Sequence, residues 1–315
     1  MNREQTEEKI KWIKDTFERK LSYELNLLRV SGPIFVEAKS GVNDDLGSGF
    51  DAVTFNTFGN GPRLQVVQSL AKWKRMRLKN FDTSKFNGIY VDMNAIRPGE
   101  IVDRLHSYYV DQWDWEKIIS KDNRTIEYLE SIVETIHKVI NSYFDNDKKY
   151  NDFPLFITSK TLYHKYPHLT PKEREYEIVK EYRAVFIEKI GVELPDGIPH
   201  DVRADDYDDW ELNGDLLYWS DAIQAPIEIT SMGIRVDKDS LEKQLKERGT
   251  WDSKRKKEYH KQILDEDLPL TIGGGIGQSR LCMLILGKKH IGEVQASVWP
   301  KEEIDQCDRE GIELL

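Results

Sequence analysis

Cysteine is almost absent. Cys282 and Cys307 are the only two in 315 residues, which excludes a disulfide framework and leaves too few thiols for a cysteine-rich zinc cluster. Long apolar runs are missing as well. No stretch approaches the roughly 20 residues that a bilayer-crossing helix needs, and a composition of 39% hydrophobic and 32% charged residues suits a soluble chain. The opening MNREQTEEKIKW lacks the apolar core of a signal peptide and the acid-poor character of a transit peptide, so the cytoplasm is the expected location. Positive charge is in deficit. With 46 Lys and Arg against 56 Asp and Glu, a net of −10, a broad phosphate-tracking surface for nucleic acid is disfavoured, while a local basic patch remains possible. There is no internal repeat, low-complexity segment or evident linker. The length fits one large domain or two small ones, with a core that needs no staple.

Glycine is concentrated in one place. In Thr271–Leu286, TIGGGIGQSRLCMLIL, the residues Gly273, Gly274, Gly275 and Gly277 permit positive φ and close approach of an anionic ligand to the backbone. Leu281, Met283, Leu284, Ile285 and Leu286 then predict a buried helix. Arg280 opens that apolar run, where a guanidinium needs an anionic partner. The stretch reads either as a phosphate site at a helix N-terminus or as a tight turn whose Arg meets a neighbouring carboxylate.

Ile10, Ile13, Phe17 and Leu21 predict an amphipathic first helix, and LLRVSGPIFVE an extended segment with Pro33 at an edge. SGVNDDLGSG, with Asp44 and Asp45, reads as a solvated turn. A strand from Arg63 leads to QSLAKWKRMRLKN, a helix that Ser69 would cap. Its basic residues form a solvated face, or Lys74 turns inward to an anion. GIYVDMNAIR and HSYYVDQWDWE predict a hairpin ending near Arg97, with Val110, Gln112, Asp114 and Glu116 on one face. Thr125–Phe144 predicts a core-packing helix on which His137 is structural. Asp201, Asp205, Asp206, Asp208, Asp209 and Asp215 crowd one segment, either a solvated loop or a cation site. Asp215 and Glu228 lie on two β-rich runs and suit an octahedral Mg²⁺ shared with nucleotide phosphates. Asp239–Asp265 predicts a surface-exposed basic helical stretch with His260 solvated, and KKHIGEVQASVWP a closing strand.

These pieces, in this order, resemble the catalytic core of class II aminoacyl-tRNA synthetases, most closely the aspartyl subgroup. The first helix, strand and Pro33 look like that family's dimer-interface signature, Arg97–Glu116 like its second and GGGIGQSRLCMLIL like its third. VVQSLAKWKR, VDQWDWE, HDVRADDYDDW, LNGD, SMGIRVD, TIGGGIGQSRL and HIGEVQASVWP are closer still to the ammonia-dependent asparagine synthetases, ligases built on the same core. The resemblance implies an α+β fold, an antiparallel sheet flanked by helices, in one catalytic domain over 1–315. It also implies a homodimer that amidates L-aspartate with ammonia, using ATP and Mg²⁺ through a β-aspartyl-adenylate, without nucleic acid or membrane partners.

Carried onto matching positions, the resemblance puts Asp44, Ser69, Lys74, Gln112, Asp208 and Ser231 around aspartate, with Arg235 in support. Arg97 would hold the α-phosphate, Arg280 the outer phosphates beside Gly275 and Gly277, and Asp215 with Glu228 the Mg²⁺. Asp44, Arg97, Gln112 and Arg280 are the expected catalytic set. Three positions depart from the pattern. Gln68 stands where His is expected, the loop between Trp210 and Leu212 is short, and Ser279 replaces the acid that synthetases usually carry before the Arg. The alternatives are an aspartyl- or asparaginyl-tRNA synthetase, disfavoured by charge and by the lack of residues for an anticodon module, and an inactive paralogue, disfavoured by retention of Arg97, Arg280, Asp215 and Glu228.

Overall fold

The computed structural model describes residues 2–44, 51–144 and 150–315. Helix α1 (Arg3–Leu25) buries Ile10, Ile13, Phe17 and Leu21 as its spacing predicts, and Asn2 with Gln5 closes a capping box at its start. Strands β1 (Leu27–Arg29), β2 (Phe35–Glu37), β3 (Thr54–Asn56) and β4 (Arg63–Val66) follow. Next come α2 (Ala71–Arg77), the hairpin β5 (Gly88–Ile96) and β6 (Tyr109–Ile118), then α3 (Ile126–Asn141) and β7 (Leu155–Thr158). Helices α4 (Ser159–Lys165) and α5 (Pro171–Tyr182) precede β8 (Ala184–Glu188), β9 (Asp208–Ser220) and β10 (Ala225–Arg235). Helices α6 (Lys238–Glu247), α7 (Trp251–Lys254) and α8 (Glu258–Leu264) lead to β11 (Thr271–Gly277), α9 (Gln278–Leu286) and α10 (Lys301–Glu310).

Eight strands form one sheet in the order β1-β5-β6-β11-β10-β9-β8-β7, and β2-β4-β3 form a small second sheet. The interior of the large sheet is antiparallel, as expected, but both edge pairs, β1–β5 and β7–β8, are parallel. The architecture is therefore an α+β mixed sheet flanked by helices. One face carries the main core, where Trp113 and Trp115 meet apolar residues of α1, α3 and α9. Period-two alternation sends Gln112, Asp114 and Glu116 to the opposite face, beneath α2.

Strict alternation fails usefully in β10. Ile227 and Ile229 belong to the core, and so do Met232 and Ile234, because the register slips between Glu228 and Thr230. A bulge of this kind re-aims side chains, and here it lets Glu228 share a face with Ser231 and Arg235 despite the odd spacing. In β9 four residues, 209–212, fall between the pairs Arg235↔Asp208 and Gly233↔Asn213. The short connection near Trp210 is thus an interruption within a strand.

Several expectations fail for identifiable reasons. Gly273, Gly274, Gly275 and Gly277 lie in strand β11, and none has positive φ. Their service is spatial. A Cβ on Gly273 would lie 2.0 Å from Glu116 Oε2, and one on Gly275 2.4 Å from Gln112 Oε1, so the missing side chains leave room for β6 side chains to cross the sheet. The stretch before Pro300 forms a single 3₁₀ turn, Ile291–Glu293, and irregular backbone in place of the closing strand. Lys72, Lys74 and Arg75 are all buried, so of the basic residues of α2 only Arg77 faces solvent. α6–α8 enclose a small core of Leu241, Leu245, Tyr259 and Ile263, and His260 is buried against Asp206, Nε2 to Oδ2 3.0 Å. Ser69 is not the N-cap of α2, although its hydroxyl accepts from the Ala71 N–H at 3.2 Å. His137 is structural as predicted, bonded to the Tyr218 hydroxyl at 2.7 Å. Of the SGVNDDLGSG turn, residues 45–49 lie outside the described residues.

Candidate active site

Two cavities open on the α2 face of the sheet and join. The inner one, about 90 Å³, is lined by Ser69, Lys74, Gln112, Asp208 and Ser231, five of the six residues expected around aspartate, and by the supporting Arg235. The outer one, about 410 Å³, falls in the range of small-molecule sites and is lined by Arg97, Gln112, Glu228, Gly275, Gly277 and Arg280 among others. Arg97, Gln112 and Gly275 belong to both linings and so form the throat.

The inner chamber is built from buried ion pairs. Arg235 donates to Glu116 from Nε at 3.0 Å and from Nη2 at 2.8 Å, and its Nη1 meets Asp208 Oδ1. Burial opposes ionisation of Glu116, but Arg235 and Lys74 overcome it and hold the carboxyl below its ordinary range. Thr271 Oγ1 donates a further hydrogen bond to Glu116 at 2.7 Å. Lys74 is fully buried. Its ammonium meets Asp114 Oδ1 and the Gly274 carbonyl, the latter at 3.1 Å, and burial lowers its pKa in spite of Asp114. Ser231 accepts from Arg203 Nη1, whose Nη2 also reaches Asp215 Oδ1 at 2.8 Å.

The outer cavity leaves its charges more open. Arg97 sits 3.4 Å from the Gln68 carbonyl through both Nε and Nη2. Arg280 donates to the Leu105 carbonyl at 3.3 Å and the Glu228 carbonyl at 3.2 Å, with the Glu228 carboxylate 3.8 Å away. Its helix begins against Asp111, whose Oδ1 accepts from the Ser279 N–H at 3.1 Å. This is what a Ser before the Arg permits: Ser279 Oγ donates to the same carboxylate at 2.8 Å. Glu228 has its pKa raised, first by burial and then by the charge of Asp215. Glu228 at the edge of the outer cavity, with the like-charged Asp215 carboxylate near it, offers oxygen donors of the kind taken by a Mg²⁺ that keeps waters and phosphate oxygens as its other ligands. Asp215 itself lines neither cavity and is paired with Arg203. No group of three or more potential ligands occurs among the described residues.

Asp44 also lies outside both linings. It is buried, and its charge, after burial, raises the pKa of Tyr207, which lines the inner chamber. Gln68, in the place expected for His, donates from Nε2 to the Asp44 carbonyl at 2.9 Å. Of the crowded aspartates, Asp201 is exposed, whereas Asp205, Asp206, Asp208 and Asp209 are buried and paired with cations of the protein. Asp206 meets Lys72 at 2.7 Å, Asp209 meets Arg124 at 2.6 Å, and Asp205 meets Lys254. Each is answered by a cation from a different element.

A statistical description of the aspartate–ammonia ligase family matches residues 4–311. The chain belongs to that family. It is 50% identical over 321 residues to the aspartate–ammonia ligase of Bacillus cytotoxicus, covering 99% of this chain and 97% of that one. Against the Fusobacterium nucleatum ligase the identity is 51% over 319 residues, with the same coverages. Among solved structures, asparaginyl-tRNA synthetase from Entamoeba histolytica in complex with asparaginyl-adenylate aligns with a TM-score of 0.66 at 16% identity, over 93% of this chain and 66% of that one. The Pyrococcus horikoshii asparaginyl-tRNA synthetase complexed with asparaginyl-adenylate gives 0.64 at 17%, over 94% and 70%. These likenesses establish a class II synthetase fold for this member of the ligase family. No helix among the described residues is long and apolar enough to cross a membrane.

Sequence reasoning placed neither Asp114, Tyr207 nor Arg203 in the site, though all three touch it. For Asp114 a signal existed, since alternation puts it between Gln112 and Glu116 on one face. Arg203 lay hidden among aspartates, and only its long-range partners reveal it.

Proposed function

We propose that this ligase-family chain amidates L-aspartate with free ammonia at the expense of ATP, through a β-aspartyl-adenylate, releasing AMP and diphosphate. The observation that carries this reading is the throat. A small ion-paired chamber fit for an amino acid meets a larger arginine-edged cavity fit for a nucleotide at Arg97 and Gln112.

The β-carboxylate is a poor electrophile until one oxygen is esterified. In the first step that oxygen attacks the α-phosphorus, a P–O bond forms, and the bond to the β-phosphate breaks to release diphosphate. Arg97 at the throat offsets charge on the α-phosphoryl group, and Arg280 does so further out, where diphosphate departs. Asp215 and Glu228 would hold Mg²⁺, which supplies additional charge neutralisation to the triphosphate. Ammonia then adds to the acyl carbon, AMP leaves with the original carboxylate oxygen, and nitrogen loses a proton. An apolar fit would separate aspartate from glutamate by only about 1–3 kcal/mol, so fixed partners such as Lys74, Asp208 and Arg235 supply the selectivity.

Neither cysteine suits a glutamine-hydrolysing nucleophile. Cys282 is buried in α9, which pushes its thiol up to about 12, and burial also raises Cys307. Ammonia is therefore the donor. A homodimer is supported by the exposed apolar residues Leu28, Ile34, Phe35 and Phe55 around β1 and the small sheet, and sedimentation velocity measures it. The defining assay follows asparagine from aspartate and ATP with ammonium chloride or ammonia-free glutamine as sole nitrogen source. Product with ammonium alone supports the reading, and efficient use of glutamine overturns it.

A further inference from the structure

Arg203 stands between the two cavities with its hydrogen bonds unevenly spent. It lies in the irregular backbone before β9, two residues after Asp201, which lines the outer cavity. Its side chain is 10% exposed. Nη2 donates to Asp215 Oδ1 at 2.8 Å and to the Gly214 carbonyl at 3.3 Å, while Nη1 donates to the hydroxyl of Ser231, which lines the inner chamber. Nε is left over. It is buried with no hydrogen-bond partner among the described residues, and Oδ2 of Asp208, another inner-chamber residue, stands 3.6 Å away, just beyond hydrogen-bond reach.

On Asp215 a guanidinium and a divalent cation compete. Each neutralises the same carboxylate, and two cations held that close repel each other strongly where water is scarce. Glu228 makes the position more demanding: burial and then the Asp215 charge raise its pKa, and Arg203 is among the cations that oppose the rise. A metal taking up both carboxylates does that work itself. The displaced guanidinium then has a second carboxylate within a short approach, because Nε already points its unused donor where Asp208 lies. Resting on the proposed function, we infer that Arg203 is a positioning residue that holds Asp215 until Mg²⁺ displaces it and then closes through Nε on Asp208. Metal loading beside the outer cavity thereby resets two residues of the inner chamber, Ser231 and Asp208.

The test uses the full-length protein. Electron paramagnetic resonance of free Mn²⁺, standing in for Mg²⁺, measures how tightly the ion binds without nucleotide. Arg203→Met removes the competitor and should tighten Mn²⁺ binding by about tenfold, the strength of one charge-assisted hydrogen bond. Adding Asp215→Asn should abolish that gain. Where Arg203→Met does not fold, Arg203→Lys replaces it, with a smaller gain in the same direction because an ammonium lacks the fork. On the wild type, nitrogen–proton NMR of the arginine side chains should show the Arg203 Nε–H signal, assigned by its loss in Arg203→Lys, moving downfield as Mg²⁺ is added to saturation. Unchanged or weaker Mn²⁺ binding in the variants, a gain that survives Asp215→Asn, or an unmoved Nε–H signal would overturn the inference. Mn²⁺ uptake with a non-hydrolysable ATP analogue separates the two levels. If Asp215→Asn weakens that uptake while the Arg203 variants show no gain, the inference alone fails; if Asp215→Asn leaves it unchanged, Asp215 holds no metal and that part of the proposed function fails with it.

Discussion

In the inner chamber Lys74, Arg235, Glu116 and Asp208 answer one another on strands and a helix packed against the sheet, almost entirely out of solvent. In the outer cavity Arg97 has, among the described residues, only a backbone carbonyl at 3.4 Å, Arg280 is 23% exposed, and the wall runs through the connection between β5 and β6. Buried, paired charges are rigid and costly to disturb, whereas partly open ones on loops can take up and release a large anion. Under the proposed function the difference divides the labour: the inner chamber would select, and the outer cavity would perform the phosphoryl chemistry. If so, equivalent mutations should strike stability on one side and turnover on the other.

Removing the inner cation should have the largest effect. Arg235→Met leaves Glu116 and Asp208 buried without their partner and should cost about 3–5 kcal/mol of stability, read as a fall in urea midpoint at unchanged slope. The wild type should show the same dependence on pH. Because the folded Glu116 pKa is depressed, its contribution is present above the unfolded carboxyl pKa and is lost as pH falls through the folded one.

Across the throat the balance should invert. Arg97→Lys and Arg280→Lys exchange a planar fork for a point charge and should cost about 2–4 kcal/mol in kcat/KM for ATP, with a urea midpoint close to wild type. Substantial unfolding in either variant would erase the distinction between the two regions.

Strand β11 sharpens the comparison within three residues. A Cβ on Gly274 would meet Met232 Cβ at 2.5 Å and the Ser231 carbonyl at 2.9 Å, groups fixed in the sheet. One on Gly275 would meet the movable Gln112 amide at 2.4 Å. Gly274→Ala should therefore destabilise by about 1–3 kcal/mol, and Gly275→Ala should lower turnover with little change in thermal midpoint.

What the sequence made legible was local. The helical spacing of Ile10, Ile13, Phe17 and Leu21, the α3 stripe and the alternation through Gln112, Asp114 and Glu116 are written in neighbouring residues, and the structure follows them. The inner chamber depends on partners far apart in the chain: Lys74 and Asp114 are separated by 40 positions, Glu116 and Arg235 by 119. No periodicity reports such pairs, which is why Lys72, Arg75 and His260 read as solvated and the crowded aspartates as either a solvated loop or a cation site. The β10 bulge was equally hidden, since one extra residue reverses the face of everything beyond it. Family resemblance gathered most of the site residues; it did not reveal that the glycines of β11 serve side chains crossing from β6.

The smallest effect should come from a carboxyl outside both cavities. Burial and then Glu130 raise Glu188 to about 7. With the folded pKa above the unfolded value, its contribution is full below the unfolded pKa and is lost as pH rises through about 7. Between pH 5 and 8 this should remove on the order of 1 kcal/mol of stability, and Glu188→Gln should flatten that slope without altering turnover.

The central claim is that the carboxylate of aspartate and the α-phosphate of ATP react at the throat. It is tested most directly by labelling both aspartate β-carboxylate oxygens with ¹⁸O and following the products by phosphorus NMR. An adenylate route predicts one labelled oxygen in the phosphate of AMP, with unlabelled diphosphate. Label in orthophosphate, accompanied by ADP, would mean attack on the γ-phosphorus and would contradict the account.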